Sequence, residues 1–492
     1  MNYRGHFING AWKVVPGNAY ASVNPATGER VLEVSYGDGS EVEEAVEAAH
    51  QAFLQWRMLD KKERASYLER FAEALKERSE PLAQAITAEM GKTILEARAE
   101  AAACVAKIGI TLGEGQALVD RFDPEGLDGS CHFMPFGVMA VIGPYNFPAH
   151  LANGHIVPAL MTGNTVVFKP SSVTPLVGQV YAEAAEAAGF PPGVFNLLHI
   201  RRAVGDKLLT HPLVRGVLFT GSYEVGLHIK RVTLEDPWKI LALEMGGKNC
   251  SIVCQDAHLE QALTELVTGA YLTTGQRCTG TARVIVHDSL VSKLEEGLAR
   301  AAGQLKSGDP LAADTFMGPL ASASALQGFM ASQEMANKDP ALATLVAAEN
   351  PAHCLTSAAL HRVERYRPDH PYLREEVFGP ALTIEAVADT DEAIARALDT
   401  DYGLSFSIFT RERSTYETAL RSVPCGIVNW NRATNGASGR LPFGGLGKSG
   451  NHRPAALWAP YYCTYPVAEL RKPYGQVDEN PCPGFPKEVI HR

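Results

Sequence analysis

No stretch of this chain stays apolar for the roughly 20 residues that a membrane-spanning helix needs, and no run of basic residues interrupts its acidic balance. Lys and Arg number 45 against 55 Asp and Glu, a formal net charge of -10. An acidic chain with scattered cations lacks the electrostatic footprint of a nucleic-acid binder. Cysteine is sparse, with nine in 492 residues and irregular spacing. There is no C-x-x-C and no Cys/His cluster of zinc spacing, which argues against a disulfide framework and a structural metal site; no metal is expected. The segment from Met1 to His6 has no apolar core of a signal peptide, so the expected compartment is the cytoplasm. Repeats and low-complexity tracts are also missing.

What is present is a large apolar fraction, 46% of residues, in a length that predicts two or three domains. Residues 40–118 read as helices, with Glu44, Ala45, Ala48, Ala49, Ala52 and Phe53 at helical spacing. From His132 to Ile142 the pattern becomes strand-like. An alternation follows: strand 165–168, helix 175–188, strand 194–198, helix 203–210, strand 214–219, helix 222–231, strand 240–243. A second series runs from Ser251 through helix 258–272, strand 283–286 and helix 289–305 to Ile427 and Val428. Short strands alternating with helices indicate parallel βαβ units. The expected fold class is therefore α/β, with two parallel-sheet domains in tandem and a cleft between them. The segment 461–467 is again strand-like, and the Pro-rich end, 472–487, is expected to be irregular.

The thiol of Cys278, in Thr274-Gly275-Gln276-Arg277-Cys278-Thr279, reads in isolation as a small core hydrophobe. The segment Leu243-Glu244-Met245-Gly246-Gly247-Lys248 supplies a carboxylate on a Gly-rich turn, and a thiol with a carboxylate can be a nucleophile with a general base. Gly445-Leu446-Gly447-Lys448-Ser449-Gly450 matches G-x-G-x-x-G literally but follows no strand, and Pro442 stands where a P-loop needs its first glycine; neither motif applies. Thr220-Gly221-Ser222-Tyr223-Glu224-Val225-Gly226 is better placed, after a strand and at the start of a helix, where free N–H groups can receive a phosphate. Lys169, with Pro170 behind it, falls at the carboxyl edge of the sheet, where open α/β folds bind ligands. In Tyr145-Asn146-Phe147-Pro148, Asn146 offers an amide N–H suited to an oxyanion.

Together these motifs, in this order, resemble the aldehyde dehydrogenase superfamily over nearly the whole chain, from Phe7-Ile8-Asn9-Gly10-Ala11-Trp12 to Phe443-Gly444-Gly445. The closest branch is that of the succinylglutamate semialdehyde dehydrogenases. It is carried by Gly143-Pro144-Tyr145-Asn146-Phe147-Pro148, Asn153-Gly154-His155-Ile156-Val157-Pro158, Leu243-Glu244-Met245-Gly246-Gly247 and Ser449-Gly450-Asn451-His452-Arg453-Pro454. The resemblance implies an aldehyde dehydrogenase-like fold in three parts: an NAD(P)-binding domain over 1–130 and 143–245, a catalytic domain over 246–445, and a small β oligomerisation element with the tail over 131–142 and 446–492. It implies Cys278 as nucleophile, Glu244 as general base, and Asn146 with the N–H of Cys278 as oxyanion donors. Lys169, Ser172, Gly221, Ser222, Gly226, Glu376 and Phe378 match cofactor-binding positions, for NAD or NADP. A homodimer or homotetramer is implied, and a non-catalytic relative on the same scaffold is disfavoured by the intact site residues.

Two departures bear on specificity. Relatives commonly carry Glu where this chain has Ser172, and a glycine-containing turn where it has His199-Ile200-Arg201-Arg202. An arginine there can pair with a 2′-phosphate, so dual or NADP-leaning use is expected. Arg277 stands beside the nucleophile, and Gly154 replaces a bulky aromatic. The Asn435-Gly436-Ala437-Ser438 loop offers the N–H groups of Gly436 and Ala437, with Ser438, to a carboxylate. With Thr279, these point to a small anionic aldehyde: N-succinyl-L-glutamate 5-semialdehyde, or alternatively L-glutamate γ-semialdehyde. Arg277→Ala is expected to raise KM for an anionic aldehyde far more than for a neutral one, whereas Arg453 is expected to be structural.

Overall fold

A computed structural model describes residues 2–477 and 482–484. Two seven-stranded sheets organise it. In the first, the strands lie in the order Ile240–Glu244, Val214–Thr220, Val138–Ile142, Thr165–Lys169, Phe195–Leu197, His6–Ile8 and Ala11–Lys13. The first five are parallel, and the N-terminal pair joins antiparallel. Strand order reverses at Val138–Ile142, which has its successor Thr165–Lys169 on one side and Val214–Thr220 on the other. A crevice at the carboxyl ends of such a switch point is where this architecture binds ligands. The second sheet runs Leu342–Val346, Ala359–Val363, Ala381–Val387, Thr281–His287, Asn249–Val253, Ser405–Phe409 and Ile427–Trp430. Only its first pair is antiparallel.

Val138–Ile142, expected from sequence to share a β element with residues 131–137, is instead the middle one of the five parallel strands of the first sheet. Its neighbour Gly129–Pro135 forms a separate two-stranded sheet with Thr464–Leu470, in register from Gly129↔Leu470 to Pro135↔Thr464. The chain turns between them at Gly137, whose φ of 140° suits glycine. Burial explains the division. Val138 to Val141 are buried on both faces, as parallel strands are, whereas Met134, Tyr465 and Leu470 are exposed. The expected tail to residue 492 and irregular stretch 472–487 lie partly outside the described residues.

Helices Ser40–Trp56, Lys61–Glu77, Ser79–Met90 and Ile94–Ile110 fill the region read as helical. Asp60 and Glu63 close a capping box on the second, and Thr93 caps the fourth. The fourth runs into a π-helical turn, Thr111–Gly115. Its buried stripe holds Ala97, Ala101, Cys104 and Ile108, together with two ionisable residues, Glu100 and Lys107. Among the described residues, no helix is long and apolar enough to cross a membrane, and no group of three His, Cys, Asp or Glu side chains could hold a metal ion.

Candidate active site

Cys278 follows a backbone turn that few sequences adopt. Thr273, Thr274 and Gly275 lie in succession at φ 58°, 55° and 67°. Threonine at positive φ costs of order 1–3 kcal/mol and persists only when its surroundings enforce it. Here Thr274 Oγ1 donates to the Gly318 carbonyl (2.9 Å), and Gln276 Oε1 accepts from Ala321 N–H (2.9 Å). A Cβ at Gly275 would lie 2.2 Å from the Gly379 carbonyl oxygen. Beyond the turn, Asn249 Nδ2 donates to the carbonyls of Cys278 (2.7 Å) and Gly280 (2.9 Å). The thiol is half-buried. Burial first, then the charges of Glu376 and Glu244, push it up to about 12, against the pull of the Thr279 N–H and Arg277.

Glu244 ends the edge strand of the first sheet. Its exposed ladder is covered from far along the chain. Met245 N–H donates to the Ser449 carbonyl (2.9 Å). Asn451 accepts from Leu243 N–H (2.9 Å) and donates to the Leu241 carbonyl (2.8 Å). Gly444, just before the glycine-rich run that failed as a nucleotide motif, leaves room for the carboxyl: a Cβ there would sit 3.0 Å from Glu244 Oε1. Glu244 Oε2 is buried with no hydrogen-bond partner, and burial raises the carboxyl well above its ordinary range.

Cys278 and Glu244 line one cavity of about 210 Å³. Lys107, His150, Gly154 and His155 form part of it from the first domain; Arg277, Thr279, Ala437 and Ser438 form part from the second. A Cβ at Gly154 would meet nothing within 4 Å, so that wall is open. Asn146 is buried, and its Nδ2 donates to the Gln276 carbonyl (3.0 Å) two residues before the thiol. An amide nitrogen carries two hydrogens, which leaves one for a ligand.

A family model described as the aldehyde dehydrogenase family matches residues 13–465. The chain belongs to the aldehyde dehydrogenase family. It is 39% identical over 500 residues to the N-succinylglutamate 5-semialdehyde dehydrogenase of Burkholderia pseudomallei, covering 97% of this chain and 99% of that protein. It is 40% identical over 476 residues to N-succinylglutamate 5-semialdehyde dehydrogenase 2 of Caulobacter vibrioides, covering 95% and 96%. Among solved structures, a point mutant of betaine aldehyde dehydrogenase from Staphylococcus aureus in complex with NAD+ superposes with a TM-score of 0.90 at 28% identity, covering 97% of this chain and 99% of that one. A mutant 1-pyrroline-5-carboxylate dehydrogenase from Thermus thermophilus gives 0.88 at 30%, covering 95% and 92%.

Around the cofactor positions of this aldehyde dehydrogenase, Lys169 Nζ has only the Pro170 carbonyl as acceptor (3.1 Å). Burial, aided by the charge of Arg201, holds it down at about 8. Arg201 lies over the Tyr20 ring at 5.2 Å. Ser222 caps helix Tyr223–Val232, its Oγ accepting from Val225 N–H (3.4 Å), while the N–H groups of Tyr223 and Glu224 have no intrahelical acceptor. A Cβ at Gly221 would strike Phe219 at 2.5 Å, and one at Gly226 would strike Met245 Sδ at 2.3 Å; both glycines allow close packing behind the crevice. Glu376 Oε1 accepts from Gly247 N–H (2.8 Å), and burial raises its carboxyl to about 7. Phe378 meets Tyr145 edge-on at 6.1 Å. A half-buried ammonium, the free N–H groups of a helix's first turn and an anchored carboxylate fit a dinucleotide's hydroxyls and phosphates. Ser172 is half-buried on the same loop as Lys169.

Two expectations for the substrate side change. Arg277 is already paired: Nη2 meets Glu96 Oε1 at 3.2 Å, Nε donates to Thr273 Oγ1 at 2.8 Å, and the guanidinium lies 5.0 Å from the Phe147 ring centre. Its charge is answered within the protein, so it does not stand as a free anion receptor. Gly436 is not on the cavity lining, and its N–H donates to the Ala433 carbonyl at 3.3 Å. Ser438 Oγ accepts from Arg440 N–H (3.3 Å). Arg440 in turn pairs with Glu114 at 2.6 Å, tying the loop to the π turn. Arg453 is exposed and lines a separate groove with Phe136, Trp458 and Tyr465. Sequence reasoning passed over Lys107, His150, Glu96 and Glu114. The available signal was an ionisable residue on the apolar stripe of helix Ile94–Ile110.

Proposed function

We propose that this aldehyde dehydrogenase oxidises an anionic semialdehyde, N-succinyl-L-glutamate 5-semialdehyde, to the carboxylate with NAD or NADP. The observation that carries the reaction type is Glu244, with an unpartnered Oε2, in the same cavity as Cys278. The substrate rests on the two relatives of that name, whose similarity spans the chain.

The chain's own groups divide the work. Cys278 Sγ loses its proton to solvent water, and the thiolate electron pair forms a bond to the aldehyde carbon as the carbonyl π bond opens. The carbonyl oxygen becomes an oxyanion that accepts from the free Asn146 N–H and the backbone N–H of Cys278; one such donor is worth roughly 2.7–4 kcal/mol. Lys169, Ser172, Gly221, Ser222, Gly226, Glu376 and Phe378 would hold a dinucleotide, which when bound would supply the acceptor for the hydride of that carbon. The acyl group stays on Cys278 as a thioester. Glu244, once ionised, takes a proton from water. The water oxygen bonds the acyl carbon, the C–S bond breaks, and carboxylate and thiol result. The raised affinity of Glu244 for protons suits a group that must accept one.

A spectrophotometric panel of semialdehydes with both cofactors tests the reading. N-succinylglutamate 5-semialdehyde is expected to give the highest kcat/KM; a better value for free glutamate γ-semialdehyde moves the assignment to the alternative. With Ser172 and Arg201 beside Lys169, NADP is expected to work alongside NAD. An NAD preference beyond about a thousandfold, some 4 kcal/mol, removes that part. The two-stranded sheet of Gly129–Pro135 and Thr464–Leu470, with its exposed Met134, Tyr465 and Leu470, serves as the oligomerisation element of a homodimer or homotetramer. A monomer by light scattering rejects it.

A further inference from the structure

Among the described residues, no group answers the charge of Lys107. It is 4% exposed, and its Nζ is buried without a hydrogen-bond partner. The other buried lysines are provided for: Lys92 by Glu100 (2.6 Å), Lys239 by the Leu209 carbonyl (2.8 Å), and Lys248 by the Tyr372 carbonyl (2.8 Å). Glu100 shares the buried stripe with Lys107. However, it is taken by Lys92 and by the N–H groups of Ala149 (3.0 Å) and His150 (3.1 Å). Burial lowers the Lys107 ammonium to about 8, with no compensating carboxylate. An isolated buried charge is costly unless it is paired, and no partner is found among the described residues.

A second unfilled atom lies nearby. His150 Nδ1 is buried and unpartnered, and the Lys107 charge acts on this ring. His155, also on this wall, is different: Nδ1 meets Tyr462 Oη (2.8 Å) and Nε2 meets Thr220 Oγ1 (3.1 Å). Lys107 and, in its Nδ1–H tautomer, His150 thus offer two vacant donors on the cavity that holds Cys278. A carboxylate, with two oxygens and no hydrogen, can satisfy both.

We infer that Lys107 and His150 form the receptor for a carboxylate at the far end of the substrate, and that they disfavour substrates bearing a free ammonium there. The second part follows from the lining. Its one carboxyl group is Glu244, at the reacting end beside Cys278 and raised by burial well above its ordinary range, so a substrate ammonium at the far end would face Lys107 with no carboxylate beside it. An amine capped as an amide, with a carboxylate beyond it, is the chemistry that fits.

This rests on the anionic-semialdehyde reading, and the test separates the two. Lys107→Met keeps length and removes charge, and Lys107→Arg restores charge. In Lys107→Met, the loss of kcat/KM for N-succinylglutamate 5-semialdehyde should exceed the loss for hexanal by about 30-fold or more, the effect of truncating one partner of a buried charge pair. Lys107→Arg should recover part of that selectivity. Equal losses for the two aldehydes at unchanged Tm overturn the receptor and leave the substrate reading intact. A binding readout needs no turnover of the semialdehyde: N-succinylglutamate should inhibit hexanal oxidation competitively, with Ki raised about 30-fold in Lys107→Met. Wild type that turns over hexanal and is inhibited, yet does not oxidise the semialdehyde, keeps the receptor and rejects the substrate. Wild type that is not inhibited overturns the receptor.

Discussion

The cavity has two kinds of wall. On the first-domain side, Lys107 Nζ and His150 Nδ1 have no partner, and open space stands above Gly154. On the second-domain side, polar groups are already engaged. Arg277 is held by Glu96 and Thr273, Asn435 Nδ2 by the Thr268 carbonyl (3.1 Å), and the Thr279 carbonyl by Thr434 Oγ1 (2.6 Å). The difference teaches where a ligand has something to gain. A cation already neutralised by a neighbour offers an incoming anion little, because the neighbour's charge repels what the cation attracts. The engaged wall fixes the nucleophile; the vacant wall selects what reaches it.

Variants can break or sharpen this contrast. The largest effect belongs to the atom that both walls serve. Cys278→Ala should lower kcat by about 10⁴-fold or more while cofactor binding by calorimetry is retained; turnover within tenfold of wild type would remove the nucleophile and with it the meaning of both walls. Glu244→Gln should slow steady-state turnover by roughly 10²–10³-fold yet keep a single-turnover burst of reduced cofactor, since its base acts after the hydride has left. Loss of the burst would place Glu244 in the first half of the reaction.

The vacant wall also predicts a pH signature. The Lys107 ammonium, held down at about 8, loses its charge as pH rises through that value. The kcat/KM ratio of anionic to neutral aldehyde should therefore fall across it. His150 and His155 are held below their ordinary range by burial and stay neutral there. Cys278 and Glu244 act on both aldehydes and cancel in the ratio. A ratio flat from pH 7 to 9 would contradict the vacant wall's role. The smallest effect belongs to the engaged wall. Arg277→Met should lower kcat/KM by about three- to tenfold, equally for anionic and neutral aldehydes, as a partly buried ion pair and loop anchor would. A loss confined to the anionic aldehyde would move the receptor across the cavity.

Legibility in the sequence followed the range of the forces involved. Helix Pro175–Ala188 has the bounds that its pattern predicts, because Pro at its start and Gly189 at its end are local signals. The α/β alternation and the segments carrying Cys278, Glu244 and Asn146 were legible for the same reason. The break at Gly137 was missed because strand-like residues run on either side of it, and only pairing partners hundreds of positions away divide them. The Glu96–Arg277 pair, 181 residues apart, is likewise invisible to local pattern. Lys107 was hidden differently. One lysine in an alanine-rich helix looks solvated until the stripe of Ala97, Ala101, Cys104 and Ile108 shows which face it shares.

Asn451 supplies the missing neighbour of the strand that ends in Glu244, bonding Leu243 across 208 residues of sequence. A chain emerging from the ribosome therefore exposes that strand's edge until Asn451 has been made. Closing so long a loop is slow to find by chance, and an uncovered edge invites pairing with other chains. Glu244, the proposed general base, is thus set in place late in folding, and the interval before Asn451 docks is when nascent copies are most exposed to one another.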